Sequence, residues 1–130
     1  MQTSETGAPP LLAPTRLRQM ATELVLAMMA SATTEKIRPV DWWPRAKSAL
    51  VAACSRAEDW SQLVSTMARK LQIETLRGDS TKALSLCEPH PEDFGAFVRL
   101  CRREAVYIVA QAQMMREIQR AADAAERAEK

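Results

Sequence analysis

Apolar residues recur every three to four positions along most of this chain, the spacing of one helix face, and no segment alternates apolar and polar residues as a half-buried strand does. From Thr15 to about Ala32, the residues Leu17, Met20, Ala21, Leu24, Val25 and Met28 share one face, which predicts a core-facing helix. Leu26 and Met29 widen that stripe, so this helix is expected at the centre of a bundle. A second helix is expected from an Asp41 N-cap, with Pro44 in its first turn and Ala46, Leu50, Ala53 and Cys54 inward, to about Arg56. Glu58-Asp59 predict the cap of a third, with Leu63, Val64, Met67, Ala68 and Leu71 inward and Gly78 as its end. Asp79-Ser80 are expected to cap a short fourth helix that Pro89-His90-Pro91 stops after Cys87.

Pro91, Glu92 and Asp93 mark the start of a last helix, and nothing in the sequence breaks it from Phe94 to about Ala125. One stripe runs through Phe94, Phe97, Val98, Cys101, Ala105, Ile108, Val109, Ala112, Met115, Ile118 and Ala122. A helix of about 32 residues spans about 48 Å, more than a bundle of this mass needs, so its end is expected to project or to meet another chain. Residues 121–130 are strong helix formers with almost no large apolar side chain, as in a solvated extension. The expected fold is thus all-α: a bundle of about five helices over residues 15–130 with a long C-terminal helix. Residues 1–14, with Ser, Thr, Gly and three prolines, read as a flexible N-terminal arm.

Composition adds limits more than directions. At 130 residues with 47% hydrophobic and 26% charged, the chain is long enough for one core and far from the disordered range. Three cysteines without C-x-x-C spacing fit neither a disulfide framework nor a four-ligand zinc site and suit a reducing cytoplasm. No apolar run approaches the roughly 20 residues of a membrane span, and no secretory leader is evident. The single histidine, His90, lies between prolines, and Cys87 three residues earlier offers a Cys-His pair only if the fold brings the two together. The carboxylate pairs Glu58-Asp59 and Glu92-Asp93 stand where helices begin, which capping explains without acid-base chemistry. With no phosphate loop, metal motif or nucleotide fingerprint, neither an enzyme, nor a metal, nor a cofactor is expected.

Charge placement is more informative than the net +2. From Lys36 to Arg56, five basic residues including Arg45 and Lys47 stand against Asp41 alone, with Trp42 and Trp43 among them. Arg99, Arg102 and Arg103 share one helix face with no acid between them, and Arg116 and Arg120 return to nearly that face on an unbroken helix. Such a basic stripe can follow the phosphate backbone of RNA or single-stranded DNA. The bland alternative is that arginines solvate the outside of a bundle and that one tryptophan is core. Trp42 and Trp43 with the methionines Met114 and Met115 are the candidate anchors for a protein partner, since aromatic and Met-rich patches make adaptable contacts; ordinary core filling is the competing role, as for Met28-Met29.

The stretch Phe94-Gly-Ala-Phe-Val-Arg-Leu-Cys-Arg-Arg-Glu-Ala-Val-Tyr107 resembles the late helix of the small helical subunits of CRISPR effector complexes, where spaced aromatics precede a Glu-Ala-aliphatic-x-Tyr-like ending. The resemblance implies a non-catalytic subunit that stacks in copies of itself along larger subunits and steadies RNA or displaced DNA through basic side chains. That family has no invariant binding motif, so Arg99, Arg102 and Arg103 are nominated by their charge pattern alone. The rival expectation is a protein-binding adaptor or inhibitor without nucleic-acid contact.

Overall fold

The computed structural model describes residues 11–32, 39–73 and 78–129. Among them are six α-helices and no strand: α1 Pro14–Ala32, α2 Pro39–Arg56, α3 Trp60–Lys70, α4 Gly78–Leu86, α5 Phe94–Arg103 and α6 Ala105–Ala128, with a 3₁₀ turn at Pro91–Asp93 before α5. The all-helical expectation holds, and one hydrophobic core joins every helix. On α1 the predicted stripe is buried at every position, with Met29 beside it and Leu26 half-buried. Helix α1 packs on α4, α5 and α6, and α2 packs on α3, α5 and α6, so α5 and α6 are shared between the two longer early helices. Burying each Leu, Met or Phe of this core contributes roughly 1.5–3 kcal/mol, which sequence periodicity alone is enough to direct.

Several boundaries differ from expectation. Helix α2 starts at Pro39, so Asp41 is inside the helix and Pro44 is an interior proline, not a first-turn one. Within it Trp42 shares the face of Ala46, Ala49 and Ala53, and Trp43 that of Ala46 and Leu50. Both indoles are core, at 0% and 8% exposure, and their rings meet edge-on at 5.0 Å.

Helix α3 ends at Lys70 and Gly78 opens α4, the reverse of the role predicted for that glycine, and Asp79-Ser80 lie inside α4 instead of capping it. The stop is a Schellman turn: Gln72 N–H donates to Arg69 O and Ile73 N–H to Ala68 O, with Gln72 in the left-handed region at φ 60°. At the other end of α3 the predicted cap forms. Asp59 Oδ1 accepts from Gln62 N–H at 2.9 Å, which satisfies one helix-start donor, and Gln62 Oε1 accepts from Glu58 N–H, just before the cap, at 2.8 Å.

The 3₁₀ turn is capped by His90, whose Nδ1 accepts from Glu92 N–H at 3.2 Å, while Asp93 makes no cap bond of its own. Asp93 is buried and Oδ1 accepts from Leu11 N–H at 2.5 Å. Leu12 packs on the core. The end of the predicted arm is therefore docked, whereas residues 1–10 lie outside the described residues.

The largest departure is at Glu104. Its φ of −113° and ψ of 23° leave the helical region and divide the predicted 32-residue helix into α5 and α6. Backbone hydrogen bonds from Glu104 N–H to Leu100 O and from Ile108 N–H to Glu104 O bridge the interruption. Past it the buried stripe continues only through Ala105, Ile108, Val109 and Ala112; Met115, Ile118 and Ala122 are exposed. No helix among the described residues is long and apolar enough to cross a membrane.

Candidate functional site

On α5 the buried Phe97, Leu100 and Cys101 define the inward side. At 100° per residue, Arg99, Arg102 and Arg103 occupy an arc of about 100° on the opposite side, and all three are exposed. Helix α5 itself carries no acid. Arg99 and Arg102 have no hydrogen-bond or ion-pair partner among the described residues, and Arg103 makes only a 3.4 Å contact to Glu104. Gly95, one turn before Arg99, lets that guanidinium fold back over the helix, since a Cβ there would lie 3.3 Å from Arg99 Nη1.

Glu104 belongs to α1 more than to this face. Arg18 donates to it from Nε at 2.6 Å and Nη2 at 3.1 Å, a bidentate pair that fixes the end of α5 to α1. The same guanidinium lies 5.9 Å from the Tyr107 ring centre, and Gln111 Nε2 donates to Tyr107 Oη at 2.9 Å. Arg18, Gln19, Tyr107, Gln111 and Met115 line an open groove between α1 and α6. The hydrogen bond from Arg18 holds the Glu104 carboxyl below its ordinary range, against the opposing cost of desolvation. A lowered carboxyl pKa gives stability that is present above the ordinary glutamate range and lost as pH falls through the native value. Glu104→Gln is therefore expected to unfold earlier than the parent chain at neutral pH, and the gap should close on acidification in urea melts; a gap independent of pH would show the pair to contribute nothing.

The other nominated cations do not join the α5 face as one stripe. Arg45 is half-buried and donates to Gln72 Oε1 at 2.8 Å, while Lys47 is exposed on the far flank of α2, about 160° around the helix from Arg45. Arg116 is half-buried, and Arg120 stands 3.9 Å from Glu117. Both belong to α6, so the interruption at Glu104 removes the shared register with α5 that an unbroken helix would give.

Trp42 and Trp43 cannot anchor a partner, because both are enclosed in the core as described above. Met114 and Met115 remain open, at 51% and 45% exposure, with Ile118 beyond them at 63%. Met28 and Met29, by contrast, are core.

The cysteines are buried, and their thiols turn inward. Cys87 donates to Ala83 O at 3.3 Å and not to His90, and burial pushes it up to about 11. Cys101 is paired with the Cys54 thiol, and that hydrogen bond and burial raise it. Thiolate chemistry needs the opposite shift. All three thiols are expected to react with a disulfide reagent only as fast as the chain unfolds; rapid native labelling of one would overturn this. Among the described residues no group of three or more His, Cys, Asp or Glu is placed to hold a metal ion.

No family model, curated protein or solved structure matches this chain.

Proposed function

We propose that this chain is a non-catalytic helical subunit of a nucleoprotein assembly, in which α5 holds the phosphate backbone of RNA or single-stranded DNA and α6 contacts a neighbouring subunit. The observation that carries this reading is the acid-free outer face of α5, where Arg99, Arg102 and Arg103 project together and Arg99 and Arg102 are left without a protein partner. Unpaired guanidiniums on one face can replace the counterions of a polyanion, and their spacing over adjacent turns matches a backbone read without base contacts. The resemblance of Phe94 to Tyr107 to small subunits of CRISPR effector complexes supplies the class of assembly, in the cytoplasm, with larger subunits and further copies as neighbours. Arg45, Lys47, Arg116 and Arg120 contribute at most peripheral charge, since they do not extend the α5 arc.

A protein-binding adaptor without nucleic-acid contact is the second reading, favoured by the exposed Met114, Met115 and Ile118. Salt separates the two. Fluorescence anisotropy with labelled single-stranded RNA and DNA across a salt titration is expected to show affinity that falls steeply with ionic strength. Absence of binding at low salt would sink the α5 assignment and leave the adaptor.

A further inference from the structure

Helix α6 has two apolar sides, and the bundle covers only one. The buried Ala105, Ile108, Val109 and Ala112 face inward. Continued along the helix, that side becomes polar: Arg116, Gln119 and Asp123, with Gln119 Nε2 donating to Asp123 Oδ1 at 2.9 Å. A second stripe runs about 160° round the helix from the first. It comprises Tyr107, Gln111, Met114, Ile118, Ala121, Ala125 and Ala128, in unbroken alternation of four- and three-residue steps. That spacing is the seam of a left-handed helix pair, not of a helix meant for water. Every residue of the seam from Met114 onward is exposed.

We infer that this seam is covered by the same seam of a second copy of the chain, the two α6 helices crossing antiparallel about a two-fold axis. The proposal deepens the reading of α6 as a subunit contact and does not depend on the phosphate-binding role of α5. Size decides the partner and its direction. The seam is large at one end, with Met114 and Ile118, and small at the other, with Ala121, Ala125 and Ala128. Antiparallel pairing sets Ile118 against Ala121 of the second copy, Met114 against its Ala125 and Gln111 against its Ala128, a large residue facing a small one in every layer. Parallel pairing sets large on large and small on small, which splays the helices at one end and leaves voids at the other. The contact is isologous and closes on itself over about 26 Å of helix.

The pairing carries the C-terminal turn of the second copy, with its Arg127 and Glu129, towards the mouth of the α1–α6 groove. Met115 and Ala122, on the α1 flank of the seam, close the joint on that side.

Solution mass by light scattering and sedimentation, without nucleic acid, tests the proposal. The wild-type chain is expected at twice the chain mass. Ile118→Glu should weaken association on the order of 100-fold by burying a charge at both halves of the two-fold contact, with its thermal melt confirming that the bundle still folds.

Ala121→Ile separates a fitted seam from a merely sticky one. It places Ile against Ile118 and should weaken the dimer, whereas a nonspecific or parallel contact would tighten with the added side chain. The double variant Ile118→Ala, Ala121→Ile restores one large and one small residue per layer and should restore the dimer. A monomeric wild type, a dimer that survives Ile118→Glu, or tighter association of Ala121→Ile each overturns the inference. The Arg99, Arg102, Arg103 triple alanine variant should still dimerise. A monomer that binds nucleic acid therefore removes only this proposal, and a dimer that does not bind removes only the α5 reading.

Discussion

Replacement of Arg99, Arg102 and Arg103 by alanine is expected to weaken binding to single-stranded nucleic acid by about 10- to 100-fold at low salt and to flatten its salt dependence. Each cation that displaces a counterion from a single strand contributes about −0.7 to the slope of log affinity against log salt, so three contacts account for about two units of slope. The loss should be uniform across sequences, because backbone contacts carry no base information. Stability should hardly change. The three side chains lie on solvent, Arg99 and Arg102 have no partner to lose, and alanine is at least as good a helix former as arginine. Anisotropy across a salt series, with circular dichroism on the same samples, reads both quantities. Unchanged affinity and slope would remove this face from the site, whatever else the chain binds. Lys47→Ala and Arg45→Ala, on separate flanks of α2, are the controls that should leave the slope nearly as it is.

Trp42→Ala is expected to cost roughly 3–5 kcal/mol, the largest stability effect of any single substitution considered for this chain. The indole is fully buried in the core and meets Trp43 edge-on. Its removal leaves a cavity between α2 and its neighbours that rigid helices fill only in part. For a chain of this length the melting temperature should fall on the order of 10–20 °C. Trp42→Phe should be much milder, costing roughly 1–2 kcal/mol. Trp42 Nε1 is buried without a hydrogen-bond partner, so exchanging the indole for an apolar ring removes an unsatisfied donor while it keeps most of the volume. Urea titration followed by far-ultraviolet circular dichroism measures both. Were Trp42 a partner anchor on the surface, alanine would leave stability within about 0.5 kcal/mol and abolish only binding; that result would overturn its core placement.

The contrast between these two experiments marks how far the sequence could be read. The α1 stripe and the Asp59 cap were legible because each is a local matter: an apolar period of 3.6 residues, and a carboxylate three residues before the N–H it accepts. The Arg99, Arg102 and Arg103 arc was legible on the same ground, since spacing alone fixes which residues share a helix face. Trp42 and Trp43 were misplaced by a boundary. With a helix begun at Asp41 they stand at its cap, while the spacing Trp42, Ala46, Ala49, Ala53 already carried the signal of an inward face. Gly78 was misread because a glycine favours a helix stop, yet Gln72 takes the left-handed position and Arg45 holds its side chain.

What the sequence by itself determined is the helical class, the inward faces of α1, α3 and α5, and the outward arginine face of α5, because these follow from residue spacing within one segment. Only the tertiary structure decided where the last helix is interrupted and where its burial stops. Arg103, Glu104 and Ala105 are ordinary helix formers with no local reason to break. The interruption falls at Glu104, whose carboxylate is gripped by Arg18, 86 residues away in sequence, a pairing that no local pattern encodes. Burial on α6 stops at Ala112, and the large apolar residues beyond it, Met114, Met115 and Ile118, are exposed. The apolar seam of α6 is left facing outward beyond that turn, and it is there that the second copy is proposed to pack.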